Sequence, residues 1–472
     1  MFFRQVFDPN LAQYAYLIGC QRTGEAIVVD PQRDIERYVD IAKAEGLTIT
    51  AVAETHIHAD YLSGAREFAE EYKVALYLSD EGDEDWKYFW AADERYDFRP
   101  LKDGDVFKIG NIEFRVVHAP GHTPEHIVFL ITDHGSGATE PIGMASGDFV
   151  FVGDLGRPDL LESAAGIAGM MEPSARTLYE TTKKLDSIPD FVQVWPAHGA
   201  GSACGKALGA VPMSTIGYER RFNPALKAAS NEQGFVDFIL SGQPEPPMYF
   251  ANMKRDNKMG PRVLGELPNP RKMDSSEFES FDTKQIALID TRPWEAFAAG
   301  HIPGSMWFPM SRSFNTDVGS MVRDTDDIYL IVSENELDGV VRDLIRIGLD
   351  RIVGWIKPSE IESFGAELSR VDQVDPETAT GLIDRGEVKV LDVRRMTEFA
   401  CGHLPNAINI AHTRLASRVD EVPQNTRLLV NCHSGIRSAV STAYLQRLGY
   451  DAINLIGGHL AWLEMANADT TS

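Results

Sequence analysis

Short apolar runs alternate with helical patterns through the first part of the chain. Glu25–Pro31 predicts a buried strand, residues 33–45 an amphipathic helix, and Ile49–Glu54 the next strand. Ala65–Tyr72 predicts a further helix. The loop between that strand and helix contains His56-Ile57-His58-Ala59-Asp60-Tyr61. Loops at strand ends are where functional sites are usually built, so this hexapeptide is the first candidate for chemistry.

Three later segments also place histidine or aspartate directly after a short apolar strand. The first carries His118, His122 and His126, the second Asp148, and the third His198. A lone buried histidine is usually a hydrogen-bonded core residue, but several strand-end segments of this kind in one chain favour a metal site. We interpret His118 and His126 as structural.

Length and charge limit the alternatives. The 472 residues exceed what one core usually organises, so two to four domains are expected, and 43% apolar residues can fill their cores. The formal charge of −25 and the lack of basic runs disfavour nucleic acid and anionic membranes as partners. We expect a cytoplasmic protein with no disulfide framework among Cys20, Cys204, Cys401 and Cys432, and a homo-oligomer stays open.

In their order, the four segments resemble the metallo-β-lactamase superfamily over about residues 1–265. The resemblance implies an αββα sandwich and a two-metal pattern of HxHxDH, a distant His, a bridging Asp and a final His. This chain has Tyr61 at the sixth position of the first motif. A phenol, with an ordinary pKa of about 10, is a poor metal ligand unless ionised, so the second metal site loses a ligand and a dinuclear hydrolase is disfavoured.

A site for one ion remains, with His56, His122 and Asp148 as the natural ligands. Two histidines and one carboxylate with open positions suit non-haem Fe(II) and dioxygen. The stretch Ser146–Leu160, which includes Gly156-Arg157-Pro158-Asp159, resembles the persulfide dioxygenase branch of the superfamily. That resemblance implies one Fe(II) per chain on these three ligands and oxidation of glutathione persulfide to glutathione and sulfite. It leaves His58, Asp60 and His198 around the ligands.

Two further residues of this region have two interpretations each. Arg157 either holds an anionic substrate by bidentate hydrogen bonds or forms a structural pair with Asp159. Cys204, which follows His198 by six positions, either carries a sulfur near the iron or is a small buried residue.

An internal repeat follows a proline-rich arm and linker between Pro244 and about Pro270. Ile289–Pro303 and Leu391–Pro405 share the pattern D-x-R followed by G-H-x-P at an offset of 102 residues. The repeat predicts two α/β domains with parallel sheets, which we place at residues 271–368 and 371–472 and name the first and second copies. The pattern resembles the rhodanese family, which implies a sulfurtransferase fold.

The second copy carries Cys432 directly after the strand Arg427–Asn431 and before a helix predicted at Ala439–Leu448. The sequence around it matches the rhodanese active-site loop. Backbone N–H groups of this loop, the helix dipole and Arg437 favour the thiolate, and the same groups would stabilise a cysteine persulfide. The predicted loop consists of His433, Ser434, Gly435, Ile436 and Ser438, with Cys432 as nucleophile.

The first copy has no cysteine at the equivalent position. Its strand Tyr329–Val332 leads into residues 333–339, where Glu334, Glu336 and Asp338 would repel an anionic substrate. Measured to the glycine that ends the next helix, this loop is about two residues shorter, so we predict an inactive domain with a spacer or docking role. We interpret Cys20 as strand core, and Cys401, which aligns with Ala299, as a packing residue.

Together these patterns predict a fusion of an iron persulfide dioxygenase, an inactive rhodanese-like domain and an active rhodanese domain. Its substrates would be glutathione persulfide or a similar persulfide, O2, and thiosulfate or sulfite. A zinc thioester hydrolase of the glyoxalase II type is the alternative enzyme class. A non-enzymatic sulfur carrier or sensor built around Cys432 is the third option.

Overall fold

The computed structural model describes residues 1–163, 169–278, 281–365 and 367–471. The chain forms two compact units, Met1–Leu267 with Ile345–Gly348, and Pro268–Leu344 with Leu349–Ser472. Apart from Ile345–Gly348 of the first copy, both rhodanese-like copies fall within the second unit, so the boundary that we predict between residues 368 and 371 stays a prediction. In the described residues, no helix is long and apolar enough to cross a membrane.

The first unit contains two mixed sheets. The strands of the unit are β1 Phe2–Asp8, β2 Gln13–Cys20, β3 Glu25–Val29, β4 Thr48–Ala53, β5 Ala75–Ser79, β6 Asp97–Leu101, β7 Val106–Ile109, β8 Ile112–His118, β9 Ile127–Asp133, β10 Gly143–Gly147, β11 Gln193–Pro196 and β12 Ser214–Thr215. Their orders in the two sheets are β1-β2-β3-β4-β5-β6 and β12-β11-β10-β9-β8-β7. Strands β3 to β6 run parallel, and the predicted strands correspond to β3 and β4.

Helices cover the outer faces of these sheets. Tyr38 and Phe68 of the first two helices pack on one sheet, while Leu178 and Phe235 of two later helices pack on the other. The inner faces meet in a core that includes Phe114. This arrangement confirms the predicted αββα sandwich. The helices are α1 Glu36–Ala44, α2 Ala65–Tyr72, α3 Leu160–Ser163, α4 Met171–Thr182, α5 Ile216–Phe222, α6 Pro224–Ala228, α7 Glu232–Leu240 and α8 Phe250–Met259.

The second unit contains two parallel sheets with the same topology, β13-β17-β16-β14-β15 and β18-β22-β21-β19-β20. Their parallel strands confirm the α/β prediction for both copies. The strands are β13 Arg271–Lys272, β14 Ala287–Asp290, β15 Met306–Trp307, β16 Ile328–Ile331, β17 Ile352–Ile356, β18 Gln373–Val374, β19 Lys389–Asp392, β20 Ile408–Asn409, β21 Leu428–Asn431 and β22 Ala452–Leu455. The helices are α9 Ser275–Phe278, α10 Trp294–Ala299, α11 Phe314–Gly319, α12 Leu337–Arg346, α13 Pro376–Asp384, α14 Met396–Ala400, α15 Ile436–Arg447 and α16 Gly458–Thr471.

Candidate metal centre and sulfur-transfer loop

Three segments that follow strands bring the predicted metal ligands together in the first unit. His56 follows β4, His122 follows β8 and Asp148 follows β10. Each offers one ligand atom, and the three atoms lie within 4.8 Å of one another in a buried position. The structure therefore brings the three residues together, and their role as metal ligands stays a prediction.

Hydrogen bonds to the second ring nitrogen orient both histidines. Nδ1 of His122 lies 3.1 Å from the carbonyl oxygen of Arg157, to which it can only donate. Nδ1 of His56 lies 3.0 Å from Oγ1 of Thr55, whose hydroxyl donates to Asp30. In both rings Nε2 is then left with a free lone pair, and burial lowers the pKa of each so that the neutral, metal-binding form is favoured.

The carboxylate of Asp148 is buried, and neither oxygen has a hydrogen-bond partner in the described residues. Oδ2 lies 3.5 Å from Nε2 of His122. An unsatisfied buried carboxylate is costly, and a divalent cation would offset that cost. The donor set of two imidazoles and one carboxylate fits a mononuclear iron site and also accepts zinc.

A second group of possible ligands lies on the other side of Asp148. Asp60, His198 and Cys204 offer ligand atoms within 4.8 Å of one another, and all three are buried. Nε2 of His198 lies 3.2 Å from Oδ2 of Asp60 and 3.6 Å from Oδ1 of Asp148. Burial, with Asp60 and Asp148 nearby, raises the pKa of the Cys204 thiol well above its ordinary value. Sequence reasoning missed that Cys204 takes part in a second group, because its approach to Asp60 depends on the tertiary fold.

His58 and Tyr61 belong to neither group. Nε2 of His58 lies 3.1 Å from the carboxylate of Asp30, and although burial opposes protonation, Asp30 raises the pKa of His58 to about 9. The phenol of Tyr61 donates to the carbonyl oxygen of Asp30 and accepts from Gln13. Burial and then the charge of Asp30 raise the pKa of Tyr61, so the phenol stays neutral and is a poor ligand.

The side chain of Arg157 is buried and committed to structural bonds. Nε and Nη2 donate to the Asp159 carboxylate at 2.8 and 2.6 Å, Nη1 donates to Ala203, and Nη2 also donates to Pro244. These contacts favour the structural interpretation over an anion clamp. Through its carbonyl oxygen, Arg157 also fixes the ring of His122.

The other two histidines of the His122 segment have structural contacts, as we predict for them. Nε2 of His126 accepts from the backbone N–H of Asp148 at 3.0 Å and so positions that carboxylate. Nε2 of His118 lies 2.8 Å from the carbonyl oxygen of Pro124, and its ring is half-buried.

Three supports of the hexapeptide loop were not predicted from the sequence. The buried carboxylate of Asp30 accepts from the N–H of Thr55, and that of Glu125 accepts from the N–H of Ile57. Burial raises the pKa of Glu125 to about 7. From α8, Asn257 donates to the carbonyl oxygens of His58 and Tyr61. All three contacts join segments far apart in the sequence, and no local motif signals them.

In the second copy, Cys432 lies directly after β21 and is buried, and α15 begins at Ile436 rather than at the predicted Ala439. Its Sγ accepts from the N–H of Gly435 at 3.1 Å and from the hydroxyl of Ser438 at 3.4 Å. Among the described residues, the sulfur is therefore held by one backbone amide and one hydroxyl, fewer amides than the loop pattern predicts. The side chains of His433, Ser434 and Ile436 are exposed at the loop.

Glycines allow α16 to support this loop. The N–H of His459 donates to the carbonyl oxygen of Cys432 at 2.7 Å, and that of Leu460 donates to His433. Gly458 has φ of +60°, and a Cβ there would lie 2.5 Å from the Cys432 oxygen. Any larger residue at this position would displace the loop.

Arg437 is paired with a carboxylate that sequence reasoning missed. Its two terminal nitrogens each donate to Glu398 at 2.7 Å. Although burial works against ionisation, Arg437 lowers the pKa of Glu398 to about 2. Glu398 thus partly neutralises the positive charge predicted for the Cys432 loop and holds the Arg437 guanidinium in one orientation.

The loop of the first copy differs from the prediction in one respect. Residues 332–336 separate β16 from α12, whereas residues 432–435 separate β21 from α15, so the first loop is not shorter. Between the end of the strand and Gly348 or Gly449 the first copy is one residue shorter, because α12 has 10 residues and α15 has 12 while the first loop is one residue longer. Two of its carboxylates are paired, Glu334 with Lys357 and Asp338 with Arg342.

The remaining cysteines have different surroundings. Cys20 is buried in β2, as predicted, and its Sγ accepts from the N–H of Asn111. The prediction that Cys401 is a packing residue is wrong, because Cys401 is exposed after the end of α14. The aligned Ala299 is exposed as well, so a small side chain in this repeat marks a helix end and not a packed position.

Comparison with known proteins supports the two-part organisation. Residues 8–198 match the metallo-beta-lactamase superfamily, and residues 278–339 and 375–465 match the rhodanese-like domain. The chain is 39% identical to a metallo-beta-lactamase of Staphylococcus aureus subsp. aureus COL, whose crystal structure covers 76% of this chain and 99% of that chain with a TM-score of 0.68.

Two curated relatives each match about half of the chain. A mitochondrial persulfide dioxygenase of Bos taurus is 26% identical over 234 residues, which cover 48% of this chain and 77% of the relative. A probable polyketide biosynthesis zinc-dependent hydrolase of Bacillus velezensis is 26% identical over 221 residues, which cover 46% of this chain and 85% of the relative.

Proposed function

Because the chain belongs to the metallo-beta-lactamase superfamily and continues into two rhodanese-like domains, we propose that it is a cytoplasmic sulfur-metabolism enzyme with two activities. At the metal centre it oxidises a low-molecular-weight persulfide, such as glutathione persulfide, with O2. At Cys432 it transfers sulfane sulfur. The observation that carries the first activity is the buried group of His56, His122 and Asp148, in which the Asp148 carboxylate has no hydrogen-bond partner among the described residues.

One Fe(II) per chain would be held by His56, His122 and Asp148. Bound there, iron would supply open positions for the persulfide sulfur and dioxygen. The chain's own residues hold the ligands in place: the carbonyl of Arg157 orients His122, Thr55 orients His56, and His126 fixes the backbone of Asp148. The overall reaction is RSSH + O2 + H2O → RSH + SO3²⁻ + 2H⁺, in which the terminal sulfur is oxidised and dioxygen is reduced.

At the second centre, the Cys432 thiolate would attack the outer sulfur of thiosulfate, forming the Cys432 persulfide and releasing sulfite. In reverse, sulfite would take the outer sulfur from the Cys432 persulfide to give thiosulfate and the thiolate. The N–H of Gly435 and the hydroxyl of Ser438 would stabilise negative charge on sulfur in both directions. Sulfite formed at the metal centre could serve this reaction, and the first copy would act as a spacer or docking domain.

A second candidate is a zinc-dependent thioester hydrolase. The group of Asp60, His198 and Cys204 favours it, since a thiolate, an imidazole and a carboxylate form a good zinc site beside the first. In that case Cys204 would replace the ligand lost at Tyr61, and the rhodanese-like domains would be incidental. A sulfur carrier or sensor built around Cys432 is the non-enzymatic candidate.

Metal analysis combined with oxygen uptake separates these candidates. Protein made in iron-supplemented medium without added zinc should bind about one iron per chain and consume O2 when glutathione persulfide is added. His122→Ala should abolish the uptake, whereas His118→Ala, a matched change in the same segment outside the ligand group, should leave it. Bound zinc with thioester hydrolysis and no oxygen consumption would establish the hydrolase instead.

A further inference from the structure

The end of helix α12 forms part of the unit that contains the metal centre. Although most of this helix belongs to the second unit, Ile345–Gly348 group with the first. The carbonyl oxygen of Arg346, the last residue of α12, accepts from the backbone N–H of Leu62 at 2.7 Å. Leu62 directly follows the hexapeptide that contains His56. A residue of the first rhodanese-like copy is therefore bonded to the loop that carries a predicted metal ligand.

The side chain of Arg346 joins two further loops of the first unit. Nε and Nη2 donate to the carboxylate of Asp34 at 3.0 and 2.6 Å, and Nη1 donates to that of Asp8 at 2.5 Å. All three side chains are buried. Nη1 of Arg37 lies 3.9 Å from an oxygen of each carboxylate, so two guanidinium groups face two carboxylates. Directed hydrogen bonds between buried charges hold the loops that carry them in one arrangement.

Through Asp8, Arg346 is connected to His198. Arg346 binds one oxygen of the Asp8 carboxylate, and the other accepts from the N–H of Leu11 at 2.8 Å. The turn that this bond closes continues into Ala12, whose carbonyl oxygen lies 3.3 Å from Nδ1 of His198. Because Nδ1 can only donate to a carbonyl, this contact leaves the lone pair of Nε2 on the side of the ligand groups.

Through Asp34, Arg346 is connected to the support of His56. The loop before α1 contains Asp30, whose carboxylate accepts from the N–H and from the hydroxyl of Thr55. Oγ1 of Thr55 in turn lies 3.0 Å from Nδ1 of His56. Asp34 follows Asp30 by four residues in the same loop. A shift of Asp34 would therefore be passed on to the ring that orients a predicted ligand.

The second copy has an arginine at the equivalent helix end. Arg346 and Arg447 are the last residues of α12 and α15, and each lies two positions before a glycine. Arg447 donates to the carbonyl oxygens of Gly304 and Ile286 in the first copy, both at 2.7 Å. The same repeat position thus binds an earlier part of the chain in both copies. In the first copy, that part is the surroundings of the metal centre.

We propose that Arg346 is a positioning residue of the metal centre, although it belongs to the rhodanese-like copy that we predict to be inactive. Its carbonyl oxygen holds the hexapeptide loop, and its guanidinium holds the loops behind His56 and His198. The first copy thereby contributes to the first activity and is more than a spacer. This inference rests on the proposed metal site and adds a residue from outside the metallo-beta-lactamase match.

Metal affinity tests the proposal without turnover. Metal-free wild type and Arg346→Met are titrated with Zn²⁺ in competition with a chromophoric chelator. The zinc affinity of the variant should fall at least about tenfold, because losing groups that orient metal ligands typically costs about 10- to 100-fold. Arg37 remains beside both carboxylates, so the variant should fold. Asp34→Asn, which removes one charge and keeps an acceptor, should lower the affinity less and carries the test if Arg346→Met does not fold.

Matched variants separate the Arg346 contacts from general effects of removing an arginine. Arg342→Met, one turn earlier in α12, where Nε donates to Asp338 at 2.9 Å, should bind zinc as wild type does. Arg447→Met, at the equivalent position of the second copy, should also keep the zinc affinity. Arg346→Lys should recover part of it, since an ammonium group keeps the charge but not the two-pronged bond. An unchanged zinc affinity in Arg346→Met would overturn the proposal.

Hydrogen exchange distinguishes a positioning role from a general loss of stability. In metal-free Arg346→Met, the amides of residues 55–64 should exchange faster than in wild type, while β8 and β9 keep their protection. Equal loss of protection throughout the first unit would mean that Arg346 only stabilises the fold, and would overturn the proposal. If the wild type binds zinc but consumes no oxygen with any persulfide, the proposed oxidation fails, and the zinc affinities still decide the role of Arg346. A wild type that binds neither iron nor zinc would overturn both proposals.

Discussion

In both rhodanese-like copies, the aspartate that ends a central strand pairs with an arginine two residues later. Arg292 donates to Asp290 and to the carbonyl oxygen of Gly300, and Arg394 donates to Asp392 and to that of Gly402. The two ion-pair distances are both 2.7 Å, and both aspartates are buried. The repeated D-x-R and glycine pattern is therefore explained by a buried clamp that both copies share.

The copies differ where the fourth strand of each sheet, counted along the sequence, passes into its helix, that is, after β16 in the first copy and after β21 in the second. The second copy has Cys432 directly after that strand and Arg437 in the first turn of the helix, where Glu398 holds it. At the offset of 102 residues, Glu398 corresponds to Ala296, and residues 332–339 contain neither cysteine nor arginine. The proposed nucleophile, the cation and the partner of the cation are absent together from the first copy. The two copies thus share the clamp and differ in a single loop, to which we assign the sulfur transfer proposed for the second copy.

The largest effect should come from Cys432→Ser. Sulfur transfer from thiosulfate to cyanide should fall by at least about 1,000-fold, because a serine hydroxyl cannot form a persulfide and removing a nucleophile typically costs this much or more. Oxygen uptake with glutathione persulfide should stay within about twofold of wild type in an initial-rate assay, since Cys432 is not a ligand of the metal centre.

The reverse experiment checks that the two centres are separate. His122→Ala should abolish oxygen uptake and leave thiosulfate-dependent transfer intact. If transfer survived in Cys432→Ser, a second cysteine or the first copy would have to be active, and the contrast between the copies would fail.

Much of the first unit could be predicted because its site lies where strands end. His56, His122 and Asp148 each follow a strand, so their approach follows from sheet geometry. The partners Glu125 and Asn257 could not be predicted, because each reaches the site through tertiary packing across a long sequence separation. Cys204 is a candidate from the sequence, but its approach to Asp60 also depends on that packing. Glu398 was missed for the same reason, although Ala296 at its aligned position in the first copy is a signal that could have identified it.

Breaking the buried clamp should have matched effects in the two copies. Arg292→Met and Arg394→Met each leave a buried aspartate without its partner, which typically costs about 3–5 kcal/mol of stability. Hydrogen exchange followed by mass spectrometry of the full chain should show lost protection around β14 in the first variant and around β19 in the second. Loss in only one copy would mean that the clamps are not equivalent.

Variants of the Arg437–Glu398 pair, which only the second copy has, should have a smaller effect on sulfur transfer. Arg437→Met should lower the rate of sulfur transfer about tenfold, equivalent to about 1.4 kcal/mol. Glu398→Ala should lower it less, and the double variant should match Arg437→Met alone, because Glu398 acts through Arg437. A double-mutant cycle on transfer rates measures this coupling, and strictly additive effects would contradict a positioning role.

The pH dependence of this pair has a defined sign. The pKa of Glu398 is lowered to about 2 in the folded protein, below its ordinary value of about 4.3. The ion pair therefore stabilises the fold fully above about pH 4.3, and this stabilisation is lost as the pH falls through about 2. The pH profile of sulfur transfer between about pH 5 and 9 should therefore have the same shape in wild type and in Glu398→Ala. A wild-type inflection in this range that the variant lacks would show that Glu398 titrates during turnover.

The smallest effect should come from Cys401→Ala, which places in the second copy the residue that the first copy has at Ala299. Cys401 is exposed, whereas Cys20, Cys204 and Cys432 are buried. Native protein treated briefly with iodoacetamide should therefore be alkylated first at Cys401, and peptide mass mapping would show it. Because neither residue packs in a core, the variant should keep the melting temperature and the sulfur-transfer rate of wild type within error. A loss of transfer in Cys401→Ala would instead mean that this thiol accepts sulfur from Cys432, and the difference between the copies would then extend beyond one loop.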